Sequence, residues 1–429
     1  MNDRLLDFAI RYGFLILLAG LIVYFSLAAP GFFGPLSAAF VLQSVAITGI
    51  LALGVTCTLV VGGFDLSIGA VATSALMLSA YSMVILEHPT VVAVFLCLGM
   101  GALVGFINGI LIVKFRVPDL LATLGMMFLL IGLQRIPTQG NSIATGMTLA
   151  DGTVAEGTFS AAFLWLGRHR FDVVIDRLLP MPVVIFVAIA VVIWLFLGFT
   201  RHGRLMYAIG SNERAAALVG TPVNRYKIAA YMISGVTASI GGILLAARLG
   251  RGDIASGNNL LLDSVAAALI GFAVLGAARP NAFGTAIGAL FVGILLQGMT
   301  MMNAPYYTQD FVKGAVLVAA LLVPVVIMTA FVGLFFLPFM WLMVSFVYRW
   351  VTISTGSATW GMRMMAIELR DADGDRLDGG MAFLHTAGYT LSVTTAIIQL
   401  ASVLLMVTTE RRQGLTDLAL GTVMINKRG

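Results

Sequence analysis

A single carboxylate, Asp65, stands between two long apolar runs in the stretch GGFDLSIG, residues 62–69. A carboxylate among membrane-spanning segments is costly and usually has a function. The flanking glycines would permit a broken helix whose exposed backbone groups bind a polar solute. The alternative is a tight turn at the cytoplasmic face, with Asp65 capping the next helix, and the residues leave both readings open.

A second polar residue, Asn108, lies near the cytoplasmic end of another apolar run, just before Gly109. An interhelical hydrogen bond is the favoured role for an amide in this position. With the break it completes a candidate substrate pathway: Gly62, Gly63, Asp65, Ser67 and Asn108.

The sequence carries no recognisable catalytic motif. It has no Gly-x-x-x-x-Gly-Lys for nucleotide phosphates, no His-Glu-x-x-His and no Gly-x-Ser-x-Gly. The four histidines are scattered, and the two cysteines lie inside apolar runs without metal or redox spacing. We therefore expect no catalytic residues, no metal and no cofactor, and uphill transport would need an ion gradient or the ATP hydrolysis of a partner.

The most basic interruption of the apolar sequence is the stretch Arg201–Lys227, which holds five Lys or Arg residues and one acid, Glu213. The positive-inside rule places it in the cytoplasm. Ser211 or Asn212 can cap a short helix that starts at Glu213, and Gly220 with Pro222 would end it. A short helix between two membrane spans is well placed to receive a push from another protein.

The bulk composition is that of a membrane protein. Of the 429 residues, 60% are hydrophobic and 10% charged, and the mean hydropathy is +1.01. In lipid the backbone must satisfy its own hydrogen bonds, and apolar runs of roughly 20 residues fit helices rather than barrel strands. The fold class is therefore all-α, a polytopic helical membrane protein. The net charge of +5 indicates topology signals rather than a nucleic-acid partner.

The apolar runs predict ten spans in the first part of the chain, and the charges between them give a consistent topology. The first run could resemble a signal peptide, but its flanking charges favour an uncleaved helix. With the N-terminus inside, Lys114–Arg116 and Arg201–Lys227 fall inside, while the mixed-charge loops 137–180 and 248–262 fall outside. The predicted spans are 13–30, 40–62, 66–86, 90–113, 117–136, 181–199, 228–247, 263–278, 283–302 and 311–332.

The outer loop 137–180 contains Asp151, and its Trp165–Gly167 segment suggests an interfacial anchor. It could be a docking surface for an external partner or a solvated hairpin, and the residues favour neither. Glycines recur every fourth residue at 101, 105 and 109, and again at 284 and 288, which predicts closely packed helix faces.

Residues from about 40 to 332 resemble the permease subunit of bacterial ABC importers of the ribose or simple-sugar type. Four separated blocks occur in family order: Val60–Val71, Asn108–Met127, Arg201–Leu244 and a looser match over 260–299. This chain departs from the family pattern at Asp119, where a second proline is usual, and across Gly271–Gly284, which lacks the usual paired glycines.

The resemblance implies a homodimeric pore in the bacterial inner membrane, a cytoplasmic ATP-binding subunit and a periplasmic solute-binding protein. It also implies that the short helix in Arg201–Lys227 is the coupling helix, which receives the movement of the ATPase. The residues on that motif are Gly210, Asn212, Glu213, Ala215, Ala216 and Gly220.

The tail after residue 332 resembles a partial RDD-family membrane domain, without that family's first span. We expect two further spans, Leu334–Trp350 and Thr386–Thr408, so the domains would be 1–332 and 333–429. The stretch Asp371–Asp375 superficially resembles a calcium loop, but its glycine is misplaced and no glutamate closes it, which favours a polar turn. Counting the predicted spans places segment 351–384 outside, whereas the positive-inside rule would place a basic segment inside. The topology of the tail therefore stays open.

These observations predict a non-enzymatic permease subunit that translocates a small polar solute, in particular a monosaccharide. The rivals are a self-sufficient secondary transporter and a non-transporting membrane scaffold or receptor. The nearly charge-free spans, with Asp65 as the main exception, favour dependence on an ATPase partner.

Overall fold

The structure is a computed structural model of the chain. It describes residues 3–32, 34–148, 152–173, 175–273, 279–409, 411 and 413–426. Asp151, and residues 274–278 of the Gly271–Gly284 departure, lie outside the described residues. The contacts divide the chain into two compact units, Met1–Pro324 and Val325–Gly429.

The first unit is built from helices, with one short antiparallel hairpin. In chain order its elements are α1 (Asp3–Ala28), α2 (Pro35–Val60), α3 (Ile68–Ala80, continued by a π-helical turn, Tyr81–Ile85), α4 (Thr90–Val113), α5 (Asp119–Leu133), α6 (Ala161–Arg168), β1 (Arg170–Val173), β2 (Ile175–Pro180), α7 (Met181–Phe199), α8 (Arg201–Ser211), α9 (Glu213–Leu218), α10 (Val223–Leu249), α11 (Gly257–Ala273) and α12 (Ala282–Met301).

The boundary between the two units falls within α13 (Tyr306–Gly356). The second unit consists of the rest of α13 and several short elements. These are α14 (Trp360–Met364), β3 (Ile367–Arg370), α15 (Gly379–Thr394), α16 (Ala396–Thr408), α17 (Leu415–Leu420) and β4 (Val423–Asn426), with β3 and β4 paired antiparallel.

The helical membrane architecture is confirmed. Six helices of the described chain are long and apolar enough to cross a membrane, or seven if one bent pair counts as a span. Three shorter apolar helices cover Phe14–Ala28, Asp119–Leu133 and Asn259–Phe272, within or near further predicted spans.

The core of the first unit surrounds α2, most of whose residues are buried and none of which is charged. A helix that is apolar all round belongs inside a bundle. Helices α7, α10, α11 and α12 pack around it.

The predicted glycine face of α4 is confirmed, and its partner is α10. A side chain at Gly101 would collide with the carbonyl of Gly235, and one at Gly105 with the carbonyl of Tyr231. At Gly109 a Cβ would stand 2.8 Å from the Cα of Ile228. Small residues let the two backbones approach to van der Waals contact, the main source of helix association in lipid. Gly284 and Gly288 pack in the same way against Gly271 and Ala267 of α11.

Two predictions about the last spans are wrong. Spans 311–332 and 334–350 are parts of one continuous helix, α13. The span Thr386–Thr408 is broken at Thr395, and the helices on either side of the break are bent by 112°. Thr390 and Thr394 donate their hydroxyls to carbonyls one turn back, which competes with the helical ladder, and Ser392 bridges the break to Gln399 at 2.9 Å.

The described part of the outer loop contains α6 and the β1–β2 hairpin. Ser160 caps α6 by accepting from the Phe163 N–H at 3.1 Å, and Gln43 donates to the carbonyl of Gly167 at 2.7 Å. Trp165 is 43% exposed and stacks on His169 with ring centroids 4.8 Å apart. Helix α6 thus packs on the bundle and leaves its tryptophan accessible.

The polar turn predicted at 371–375 is present. The carboxylate of Asp371 accepts the backbone N–H groups of Asp373 at 3.1 Å and Asp375 at 2.7 Å, and Gly374 has a left-handed φ of 88°.

Candidate functional site

The segment between α2 and α3 is a true break in the helical structure. Helix α2 ends at Val60, and α3 begins at Ile68. Gly62 has a φ of 76°, a conformation that side-chain-bearing residues rarely adopt. The chain therefore leaves the helical conformation at the glycines, which fits both the broken helix and the tight turn that the sequence left open.

Asp65 is held inside this break by three donors from two parts of the chain. One carboxylate oxygen accepts from the N–H of Ser67 at 2.9 Å and from its hydroxyl at 2.6 Å. The other accepts from the hydroxyl of Ser234 in α10 at 2.7 Å. The residue is only 2% exposed. Buried carboxylates need such compensation, so Asp65 ties α3 to α10.

Asn108 extends the same network. Its side-chain amide donates to the Ser67 hydroxyl at 3.0 Å, which confirms the predicted interhelical hydrogen bond. Ser67, not Asp65, occupies the cap position of α3, and its side chain makes no capping bond there. The alternative of a tight turn with Asp65 as the cap is therefore wrong about the cap but not about the turn. Asp65 closes a turn onto Ser67, because its carboxylate lies two residues before that N–H.

The start of α5 satisfies the backbone of the break. The carboxylate of Asp119 accepts the Phe64 N–H at 2.8 Å, and the hydroxyl of Thr123 accepts the Leu66 N–H at 3.1 Å. Backbone donors away from water require partners, and a proline at position 119 could not supply one. The departure from the family pattern at Asp119 thus has a structural role that the sequence did not reveal.

The basic stretch Arg201–Lys227 forms two short helices, α8 and α9, and the first turn of α10. Of the two short helices only α9 was predicted. In α9 the side chain of Asn212 accepts the Ala215 N–H at 3.0 Å, and Gly220 follows the helix with a φ of 80°. Helix α8 was missed because its Arg-rich sequence lacks a continuous apolar run. Its buried residues are spaced by three, at Gly203, Met206 and Ile209.

Two contacts anchor the C-terminal half of helix α8. Gly210 lies so close to the end of α2 that a side chain there would collide with the carbonyl of Val60. Tyr207 donates its hydroxyl to the Pro280 carbonyl at 2.8 Å, beside Arg279. Burial raises the pKa of Tyr207 above its ordinary value despite the opposing charge of Arg279, so the phenol stays a donor.

Helix α9 is exposed except for Ala216, which is 5% exposed. Leu218 is 88% exposed and Val219 is 81% exposed. Glu213, at the start of the helix, pairs with Lys227 of α10, with Nζ and Oε2 2.6 Å apart. Of the predicted coupling residues, Ala216 is buried, and Gly210 is exposed although it lies against the end of α2. The others, Asn212, Glu213, Ala215 and Gly220, are exposed.

A cavity of about 170 Å³ connects this ion pair to the break. Lys227, Asp119 and Tyr231 line it, together with Gly62 and Gly63. Lys227 thus contacts the Glu213 carboxylate of α9 and also lines the cavity beside the break.

A second charged group lies within the apolar helices and was overlooked. Asp263 of α11 is 8% exposed, and its carboxylate lies 3.2 Å from Nζ of Lys313 in α13. Both charges are visible in the sequence, so the description of the spans as nearly charge-free apart from Asp65 needs this correction. The carboxylate of Asp310 lies 3.7 Å from the same Nζ.

Comparison with known families gives two matches. Residues 37–321 match the family described as branched-chain amino acid transport system / permease component. Residues 260–421 match the RDD family, so the two matches overlap over 260–321.

Curated relatives agree with the first match. The ribose import permease protein RbsC of Escherichia coli strain K12 is 35% identical over 309 residues, which are 72% of this chain and 92% of the relative. The protein of that name from Bacillus subtilis is 34% identical over 70% of this chain and 88% of its own length. The autoinducer 2 import system permease protein LsrD of Escherichia coli strain SMS-3-5 is 32% identical over 72% of this chain and 91% of its own. No solved structure matches the chain.

Proposed function

Since this chain belongs to the family of branched-chain amino acid transport system permease components, we propose that it is the membrane subunit of an ATP-driven importer in the bacterial inner membrane. The named relatives import ribose and autoinducer 2. We therefore assign a small polar solute, in particular a monosaccharide, as the cargo. The chain itself is a transport component rather than an enzyme.

The exposed helix α9 carries this proposal. Leu218 and Val219 are large apolar residues at the end of a helix within the most basic loop, where water would otherwise surround them. A protein surface that covers such residues gains roughly 1.5–3 kcal/mol for each side chain it buries fully. We assign the cytoplasmic ATP-binding subunit as the partner that covers them, and α9 as its coupling helix.

The ATPase would act on the solute path through the contacts of α9. Movement of α9 shifts Glu213 and with it Lys227, which lines the cavity beside Gly62 and Gly63. The break is joined in turn to α10 and α4 through Asp65, Ser67 and Asn108. We place the cytoplasmic end of the solute path at this break, with Asp65 as a positioning residue because three donors already occupy its carboxylate.

The remaining partners follow from the family. A second copy of the permease would complete the pore, membrane lipid surrounds it, and a periplasmic solute-binding protein would deliver the solute. The outer loop with the half-exposed Trp165 is the surface that we assign to that delivery.

Co-purification with the ATP-binding subunit tests the assignment of α9. Leu218→Asp should lower the recovered ATPase about tenfold or more, since it places a charge in an apolar contact. The matched control is Val154→Asp, because Val154 is 57% exposed in the outer loop and should not affect ATPase recovery. Equal recovery with Leu218→Asp and wild type would remove α9 as the docking helix.

One observation favours the alternative of an ion-coupled secondary transporter. The Asp263–Lys313 pair lies in apolar helices, and buried ionisable groups of this kind serve proton or ion coupling in many transporters. Asp263→Asn with Lys313→Met would abolish uptake driven by a proton gradient in liposomes if that alternative holds. In the proposed importer the same double substitution leaves ATP-driven coupling intact.

A further inference from the structure

The segment that follows α13 encloses a polar cavity in the second unit, unrelated to the solute path proposed above. Its volume is about 290 Å³. Arg363 of α14 and Arg376 line it, together with Gly356 and the buried carboxylate of Glu368.

The charges around this cavity are predominantly positive. Glu368 is paired with Arg370, with Nη2 and Oε1 2.6 Å apart. Arg370 and Arg376 face each other across an antiparallel bridge, so their side chains share a face. Within the part of the chain that the structure describes, Arg363 and Arg376 form no ion pair with an acid. The acids of the 371–375 turn do not line the cavity. Two guanidinium groups therefore face one carboxylate there, Glu368, which is itself paired with Arg370.

The backbone is shaped to place these arginines. A Cβ at Gly356 would collide with the guanidinium of Arg363, so a side chain there would make Arg363 leave its position. Ala366, which lines the cavity, has a φ of 54°, and Ser357, next to the lining residue Gly356, has a φ of 52°. Both values lie in the left-handed region that non-glycine residues seldom occupy, and such strained conformations cluster at active sites and ligand-binding segments.

The surroundings of Arg363 place it at the height of lipid headgroups. Trp360 is 69% exposed, Met364 is 83% exposed and Met365 is 75% exposed. The hydroxyl of Tyr348 accepts the Trp360 N–H at 3.0 Å. Exposed Trp and Tyr beside apolar side chains are typical of the membrane–water interface, where lipid phosphate is the abundant anion.

We propose that this cavity binds a phosphate group, and that its source is the headgroup of an anionic phospholipid. The planar forks of Arg363 and Arg376 match phosphate oxygens in paired hydrogen bonds. The exposed Trp360, Met364 and Met365 would contact the acyl region of the same lipid.

Lipid retention by the full chain tests the proposal. The protein is placed in nanodiscs of phosphatidylcholine, with phosphatidylglycerol added in steps, and bound lipid is counted by native mass spectrometry. Arg363→Gln and Arg376→Gln should each weaken phosphatidylglycerol binding about fivefold, and the double substitution roughly 25-fold. Arg411→Gln is the control, because Arg411 is an exposed arginine of the same unit outside the cavity.

Two further arms decide between sources and guard against misfolding. Inorganic phosphate at millimolar concentration should not displace the bound lipid. If it does, the ligand of the cavity is free phosphate and not a phospholipid headgroup. Gly356→Ala keeps both arginines but blocks the position of Arg363, and should weaken binding like Arg363→Gln. Retained binding in the double variant, or an equal loss with Arg411→Gln, would overturn the site.

Discussion

At Asp65, one buried carboxylate joins three segments that are distant in sequence. The GGFDLSIG stretch alone indicated that something unusual occurs there. Ser234 donates to Asp65, and Asn108 donates to Ser67. Both are uncharged and unremarkable in the sequence, so only the packing of α4 and α10 on α3 could identify them. This is why the sequence left a broken helix and a tight turn both open.

The Asp65 network leads to a prediction about stability. Ser234→Ala removes the donor to one carboxylate oxygen and should lower the free energy of unfolding by about 1–3 kcal/mol. Denaturant unfolding in detergent measures this. Thr237→Val serves as the control one turn away, because the Thr237 hydroxyl bonds only to its own helix. A smaller loss for Ser234→Ala than for Thr237→Val would contradict the network.

The Glu213–Lys227 pair leads to a prediction about coupling. Glu213 is half exposed, and such pairs contribute little to stability, typically below about 1 kcal/mol. Lys227→Met should therefore leave thermal stability nearly unchanged while it uncouples ATP hydrolysis from uptake. The exchanged pair, Glu213→Lys with Lys227→Glu, should restore part of the uptake. If Lys227→Met transports at the wild-type rate, the pair does not transmit movement.

In the second unit, Asp417 provides a dependence on pH. Burial alone would raise the pKa of Asp417, but hydrogen bonds from His385 at 2.9 Å and Thr422 at 2.8 Å, with one from Gly414, bring it below its ordinary value. A lowered folded-state pKa contributes stability above the unfolded value of about 3.9, and this contribution is lost as the pH falls through the folded value.

The unit should therefore lose stability below about pH 4. Thermal unfolding followed by tryptophan fluorescence between about pH 3 and 7 measures the loss, and Asp417→Asn should flatten this part of the profile. If Asp417→Asn loses stability below about pH 4 as the wild type does, other carboxylates cause that loss.

At the scale of the elements, the sequence predicted what is local or periodic. The α4 glycines at a spacing of four identified a packing face, and Asn212 with Gly220 identified α9. Helix α8 and the α15–α16 break were missed. The inward residues of α8 are recognisable only against α2, and the serines and threonines around Thr395 are compatible with a helix until their hydroxyls compete for carbonyls.

The α4–α10 contact can be tested with a single methyl group. Gly105→Ala places a Cβ against the Tyr231 carbonyl, and overpacking of this kind costs about 1–3 kcal/mol. Gly99→Ala in the same helix meets nothing within 4 Å and should be neutral or slightly stabilising. Melting temperatures in detergent compare the two, and equal values would mean that the helices do not approach as closely as described.

At the scale of the whole molecule, composition and charge were sufficient to predict a helical membrane protein. Four sequence blocks were sufficient to identify the family. The domain limits 1–332 and 333–429 remain a proposal. No sequence signal marks a boundary within the apolar α13, and the two family matches overlap before it. Partner identities likewise depend on the family, and α9 is the segment that we propose as the contact with the ATPase.

The central claim is that this chain has no source of energy of its own and responds to an ATPase through α9. Uptake of radiolabelled ribose into proteoliposomes, with the binding protein present, tests it most directly. We predict accumulation only when the ATP-binding subunit and ATP are both supplied, and its loss with Leu218→Asp. Accumulation by the permease alone under a proton or ion gradient would contradict the account.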